Sequence, residues 1–488
     1  MSSQLLDLEP KLLWQHFDGI RQIPRPSKHE QKISEHVMRW AAERGFDMRK
    51  DAAGSMVIRV PATPGHEGAE TVVLQGHLDM VCEKNADVEH DFMTQGIEVV
   101  VDGDWVKARG TTLGADNGIG LAAAMALADD PDVVHGPLEI LATIDEETGL
   151  TGAKQLDPSL VSGKILLNLD TEEDGAVYIG CAGGADCDAF LPASRRRALL
   201  GSAPVKLAVR GLRGGHSGLN IIENRANAIK LATRVLQAAL YAGVDLDLVT
   251  IDGGSKHNAI PRECFALCRL DKGVIDRFRE IAESCVRDFR EEYGATDPDL
   301  EVTVEEVDDD EATRQVLNVH ARDCVLRLLD ALPHGVLSMS RDVPGLVETS
   351  TNLAVVETRE NGLRLVTSQR SSVMPALFAA RRSVTSCFRQ AGAAVSYEEP
   401  YPGWKPNPAS PILARTVAVY ERLFGARPEI KAIHAGLECG LLLEKVPGMD
   451  AVSIGPQIEN AHSPDERVQI SSTAKFYRHV AALLEDLA

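Results

Sequence analysis

The chain has 488 residues, of which 44% are hydrophobic and 25% charged, an ordinary globular composition with room for two or three domains and well-buried cores. Lys and Arg total 51 against 72 Asp and Glu, a formal charge of −21, which opposes binding to polyanions and leaves neither nucleic acid nor an anionic membrane as an expected partner. Fibrous and low-complexity classes are excluded by the same figures. Met1–Leu13 lacks the pattern of a signal peptide, and no apolar run approaches the roughly 20 residues that span a bilayer. The nine cysteines contain no CxxC and read as reduced thiols, so the expected compartment is the cytoplasm. Cys264 and Cys268, in a strand-like stretch, are expected to pack in a core.

In chain order, Ser27-Lys28-His29-Glu30 reads as a capping box opening an amphipathic helix that runs to Gly45. Short apolar runs at 71–74, 138–144 and 165–169 predict buried strands, and the Ala- and Leu-rich stretch 118–128 predicts a helix packed on their sheet. Strand, helix, strand points to a layered α/β domain. After the Gly-rich segment 179–184 the pattern changes: strands at 205–212, 265–270 and 363–368, helices at 225–241 and 274–293, and a hairpin turn at Asn361-Gly362. This α+β section ends at the proline-rich 400–408. Helix, strand and helix at 411–423, 451–454 and 472–486 then return to the first pattern. The expected organisation is therefore a discontinuous α/β domain, 1–185 with 401–488, interrupted by an inserted α+β domain, 186–400.

Acidic residues and histidines gather where the apolar strands end, the place at which open α/β sheets bind ligands. The first run leads into His77-Leu78-Asp79, where i and i+2 share a face of an extended chain and Asp79 can orient the His77 ring. The second ends in Asp145-Glu146-Glu147 and the third in Asp170, with Asp116 between them. Like charges converging on one sheet edge repel unless cations neutralise them. A carboxylate bridging two ions, with one histidine and one carboxylate on each side, is the economy of a two-metal hydrolytic site. It needs a second histidine, and His462 follows the strand at 451–454. Of two adjacent glutamates, one can ligate while its neighbour, on the other face of the chain, meets a water between the ions and moves its proton.

At these residues the chain resembles the M20 clan of metallopeptidases, through H-L-D-M, T-L-G-A-D-N-G-I-G, D-E-E-T-G, N-L-D-T-E-E-D-G and A-H-S-P-D-E in the same order. G-C-A-G-G, R-G-L-R-G-G-H-S-G, Y-P-G-W and H-A-G-L-E-C-G make it more similar to the aminoacyl-histidine (Xaa-His) dipeptidase branch. The resemblance implies an α/β zinc-peptidase catalytic domain with a layered, mixed sheet, 1–185 and 401–488, carrying an inserted α+β lid domain, 186–400, and hydrolysis of small dipeptides, carnosine-like Xaa-His among them. It implies two Zn2+ per subunit, with Mn2+ or Co2+ as substitutes. Asp116 would bridge the ions, Glu147 and His462 would hold one, and His77 and Asp170 the other. Asp79 would orient His77, and Glu146 would be the general base. Among lid residues it implies substrate-binding roles for His216, Asn258 and Arg370, and Glu438 is a candidate for the substrate's free amino group. A lid and a metal-bearing base imply domain closure on substrate, and a homodimer joined through the lid domain is among the arrangements the resemblance allows. Other M20 hydrolases, aminoacylase or tripeptidase, and a catalytically silent metal-binding protein on the same fold stay open as alternatives.

Overall fold

The computed structural model describes residues 4–488; Met1–Ser3, part of the Met1–Leu13 stretch considered above, lie outside the described residues. The chain folds into two compact units. One comprises the chain up to Gly180, Pro406–Ala432 and Leu437–Ala488, and the other Cys181–Lys405 with Ile433–Gly436. The divisions fall a few residues from 185/186 and 400/401 because strand Gly183–Pro192 is already part of the second unit's sheet. Tyr401 and Trp404 also pair back onto Gly184 and Cys181.

The first unit is built on an eight-stranded sheet in the order Asp47–Lys50, Met56–Val60, Leu138–Thr143, Val72–His77, Ile165–Asn168, Asp450–Ser453, Ala176–Cys181, Glu429–Ile433. Val72–His77 lies between Leu138–Thr143 and Ile165–Asn168 and is parallel to both. Every residue of Val72–His77 and Leu138–Thr143 is buried, so these strands are covered on both faces, as parallel strands in an α/β sheet are, and the polar Gln75, His77, Glu139 and Thr143 are buried with them. Helix Ala115–Asp129 breaks from helical geometry at Asp116 and Asn117 and is regular only from Gly118. From Gly118 to Leu127 it is buried all round, which explains a run without an amphipathic face. A four-stranded sheet pairs Val99–Asp102, Trp105–Ala108, Arg467–Gln469 and Ile458–Glu459. Residues 460–466 form the loop of its last hairpin.

The second unit has an antiparallel sheet led by Val347–Arg359, Gly362–Ser371 and Gly183–Pro192. Alternate residues Val205, Leu207 and Val209 of strand Ser202–Arg210 join Phe278, Phe289 and Phe388 of helices Ile275–Tyr293 and Met374–Gln390 in one core. Cys264 and Cys268 are fully buried in that core.

Two local expectations are corrected. Ser27 and Glu30 form no capping box: helix Gln31–Glu43 starts after Glu30, the Ser27 hydroxyl donates to Asp79 (2.8 Å), and the Glu30 carboxylate accepts from the Lys28 and Asp145 N–H groups (2.8 and 3.0 Å). The demand for donors at Asp79 outcompetes the local cap. The hairpin pairs Arg359 with Gly362, so its two loop residues are Glu360-Asn361, one position before the expected pair.

Candidate functional site

The parallel strands end in register, with His77 opposite Thr143 and Gln75 opposite Asn168. Their exits therefore bring His77, Asp79, Glu146, Glu147 and Asp170 to one edge. Asp145 takes a left-handed conformation, φ 47°, and turns the chain sharply into the helical turn Glu146–Gly149. Asp79 fastens that turn from below by accepting from the N–H groups of Glu146 (3.1 Å) and Glu147 (3.2 Å). Its Oδ1 also lies 3.4 Å from Nδ1 of His77. The glutamates are thus on a helical turn rather than in extended chain. Their side chains diverge by about 100° instead of pointing to opposite faces, and both join a set with His77 whose ligand atoms lie within 4.8 Å of one another.

Asp116 arrives from the start of the buried helix, and its neighbour Asn117 secures it by donating to the Leu169 carbonyl (2.8 Å). A Cβ at Gly76 would sit 2.1 Å from the Asn117 side-chain oxygen, so only glycine before His77 lets this amide in. His462 arrives on the loop 460–466, with Asn460 and His462 both left-handed (φ 56° and 63°), a strained turn of the kind that clusters at functional sites.

The convergence is specific. His77 aims Nε2 at Asp116 Oδ1 (3.0 Å) and Asp170 Oδ1 (3.4 Å). His462 aims Nε2 at the other Asp116 oxygen, Oδ2 (3.0 Å), and at Glu147 Oε2 (3.0 Å). Two sets of three ligand atoms result, His77–Asp116–Asp170 and Asp116–Glu147–His462, each within 4.8 Å and sharing Asp116. One N–H serves two carboxylates poorly, whereas a cation at the focus of three donors serves all of them. Among the described residues buried Glu147 Oε1 has no hydrogen-bond partner and Asp170 Oδ1 has only the long approach of His77 Nε2, so the donors fit divalent ions of the kind bound by imidazole and carboxylate. A further acidic set, Glu30–Asp79–Asp145, is different in kind. Its carboxylates accept from backbone N–H groups and from the hydroxyls of Ser27, Thr148 and Thr151, and it serves as a structural knot.

Electrostatics reflect the crowding. Burial raises Glu146 well above the usual carboxylate range, and Asp170, Glu438 and Glu147 add to it against the pull of His77. Burial, with Asp116 and Glu147, likewise pushes Asp170 up to about 6 despite His77. Burial opposes ionisation of Asp79, yet the hydrogen bonds from His77, Ser27 and the Glu146 N–H bring it down to about 2. Hydrogen bonds to Asp116 and Glu147 push His462 up to about 11. Burial lowers His77, but Asp170, Asp116 and Asp79 outweigh it and hold it well above the ordinary imidazole value.

Glu438 begins helix Glu438–Lys445 and is fully buried. Its Oε2 accepts from Gln75 Nε2 and Thr143 Oγ1, both at 2.6 Å, while Oε1 has no partner among the described residues. In the second unit, His216 and Asn258 come together: Gly215–His216 pairs with Ala259–Ile260, and the Asn258 carbonyl accepts from Ser217 N–H (2.8 Å). Leu219 N–H donates to His216 Nδ1 (3.1 Å), which leaves the ring proton of the neutral imidazole on Nε2. That nitrogen lies 3.4 Å from Arg370 Nη2, two donors side by side. Burial, with Arg370 beside it, lowers His216 to about 4. Arg370 also donates to Tyr401 Oη (3.1 Å), and its buried Nε has no partner among the described residues.

The sequence reading missed Arg25, Asn117 and Glu466, which hold the site without taking part in the histidine–carboxylate pattern. Asn117 and Glu466 lie inside the quoted motifs and were legible there as polar neighbours of ligands. Arg25, between two prolines, carries no local signal.

The profile of peptidase family M20/M25/M40 matches residues 73–486. The chain belongs to that family. It is 42% identical over 485 residues to the cytosol non-specific dipeptidase of Escherichia coli (strain K12), covering 99% of each. It is 43% identical to the aminoacylhistidine dipeptidase of Vibrio alginolyticus, whose crystal structure superposes with a TM-score of 0.90 over 99% of this chain and 98% of that one. An aminopeptidase PepT from Bacillus cereus shares the fold at 16% identity, with a TM-score of 0.57 over 98% and 99% of the two chains. The protein is a metallopeptidase with an M20 fold, and no helix among its described residues is long and apolar enough to cross a membrane.

The raised histidines make metal uptake a proton exchange. The charged pairs stabilise the metal-free protein fully below the ordinary histidine pKa, and for His462 that contribution is lost as pH rises through about 11. A metal must displace these protons. Titration of metal-free protein with zinc at pH 7, in buffers of differing ionisation enthalpy, should show release of about two protons per chain, with affinity falling as pH falls. Uptake with no proton release would contradict this.

Proposed function

We propose that the protein is a two-metal dipeptidase acting on small dipeptides, Xaa-His among them. One observation carries the reading: Asp116 offers one oxygen to the His77 set and the other to the His462 set. His77 and Asp170 would hold one ion, Glu147 and His462 the other, with Asp116 shared. Two divalent ions, Zn2+ or in its place Mn2+ or Co2+, would polarise the scissile carbonyl and make a water between them acidic.

The chain's own groups do the rest. Glu146 takes the proton of the attacking water and returns it to the leaving nitrogen. Its raised carboxyl suits a group that must both accept and give a proton near neutrality. Asp79 orients His77 and fixes the backbone of both glutamates at once. Arg370, with an unused Nε, takes the substrate's terminal carboxylate as a planar fork. His216 supplies an Nε2–H to the developing oxyanion, and Asn258 holds the substrate backbone. Glu438 offers its unpaired Oε1 to the free amino group. Recognition of both termini is what restricts a peptidase to dipeptides. The names of the E. coli and V. alginolyticus relatives support the dipeptide class, and that of the E. coli protein a cytosolic location. Exposed Leu219, Ile222, Val336, Leu337 and Met339 on the second unit support pairing of two copies through it.

Glu146→Gln should bind zinc like the wild type while kcat falls by about 10^2- to 10^4-fold; full activity with both ions bound would refute the base. In the same assays ordinary and Xaa-His dipeptides should be cleaved, and tripeptides, N-acyl amino acids and dipeptide amides should be poor substrates. Preference for a tripeptide or an N-acyl substrate would move the protein to another M20 activity. Sedimentation of the zinc-loaded protein should give a dimer, and a monomer at micromolar concentration would rule out the pairing.

A further inference from the structure

The loop that delivers the shared carboxylate, Leu113-Gly114-Ala115-Asp116, is gripped by its backbone. Glu466 is buried, 2% exposed, and accepts from the N–H groups of Leu113 (2.7 Å), Gly114 (3.0 Å) and Ala115 (2.8 Å), with that of Asp116 at 3.4 Å. Arg25 is equally buried, 1% exposed. Its Nη2 donates to the Gly114 carbonyl, and its Nη1 to the carbonyls of Leu78 (3.0 Å) and Asp79 (2.6 Å). Gly114 is thus held at its N–H by an anion and at its carbonyl by a cation. A Cβ at Gly114 or Gly118 would come within 2.6 or 2.7 Å of Arg25 Nη2, and Gly114 has φ +70°; glycine at these positions lets the guanidinium reach the loop.

Each ion also ties this loop to a second ligand. Arg25 joins it to Leu78 and Asp79, next along the chain from His77, and Glu466 to the hairpin loop that carries His462. Burying two full charges is costly and is offset by hydrogen bonding, here through both oxygens of Glu466 and both terminal nitrogens of Arg25, whose Nε has no partner among the described residues. Here that bonding goes to main chain at the ligand loops. Arg25 lies before the segment that the family profile matches, 73–486.

We propose that Glu466 and Arg25 are positioning residues of the metal centre, which act through the backbone of Leu113–Asp116 to set the Asp116 carboxylate between His77 and His462. The proposal rests on the two-metal reading above and adds to it how the shared ligand is aimed.

The test compares wild type, Glu466→Gln, Glu466→Asp, Arg25→Lys and Asp116→Asn. Metal-free proteins are titrated with zinc against a chromophoric chelator, and kcat and KM are measured at saturating zinc. Glu466→Gln should weaken binding of at least one ion by about 10- to 100-fold and lower kcat at least as much as it changes KM. Glu466→Asp, which keeps the charge, should recover part of both losses. Arg25→Lys, which keeps the charge but loses the fork, should show the same pattern in smaller degree. A variant that unfolds without zinc and is restored by it also supports the proposal, because binding then drives the loop into place. Folded Glu466→Gln and Arg25→Lys proteins with wild-type zinc affinity and kcat would overturn it, as would variants that stay unfolded at saturating zinc. Asp116→Asn separates the two levels. If it keeps both ions at wild-type affinity, the two-metal reading fails and this proposal with it; if it loses them while Glu466→Gln behaves as wild type, only the positioning role fails.

Discussion

The structure turns on an electrostatic constraint: five carboxylates, Asp79, Asp116, Glu146, Glu147 and Asp170, share one sheet edge with only two histidines. In a partly buried setting such a set stays ionised only where cations or hydrogen-bond donors offset the repulsion. The protein meets the constraint in two ways. Asp79 is offset by donors, namely Ser27 and the N–H groups of Glu146 and Glu147, and stays ionised. Asp116, Asp170 and Glu147 are offset only by single imidazole nitrogens shared between carboxylates, an arrangement that a pair of cations completes. Glu146 has neither kind of compensation and keeps a raised pKa, and that separates it from its neighbours as the group able to carry a proton.

The fold makes this crowding affordable by spreading its support over distant parts of the chain. Parallel strands ending in register supply three exits side by side. Loops that the sheet does not constrain, before the buried helix and in the hairpin at 460–466, supply Asp116 and His462. The loop that carries Asp116 is held by main-chain hydrogen bonds to Glu466 and Arg25, and Asn117 anchors the next residue to the Leu169 carbonyl. The supports of the Asp116 loop are buried, in line with the rule that ligating groups need a fixed second layer.

Much of this was legible in the sequence because the relevant signals are local. Apolar runs ending in acids marked the strand exits, and the ordered motifs marked Asp116 and His462. What was not legible depended on long-range competition. Ser27 and Glu30 have the spacing of a capping box, but Ser27 is claimed by Asp79 and Glu30 by Asp145, partners about fifty and a hundred residues away. Glu146 and Glu147 read as facing opposite ways because an extended chain was assumed, and the left-handed Asp145 replaces it with a helical turn. Arg25 was invisible for the same reason: its partners are carbonyls, and carbonyls leave no trace in composition. The charge of −21 likewise reads as solvated surface until the strand register shows which acids are not solvated.

The central claim is that Asp116 is shared by two ions. The most direct measurement is a crystal structure of the zinc-soaked protein with anomalous scattering recorded on both sides of the zinc edge. Two anomalous peaks per chain, about 3.5–4 Å apart and flanking the Asp116 carboxylate, are the predicted result. A single peak, or a peak at Glu30, Asp79 and Asp145 with none beside Asp116, would contradict it.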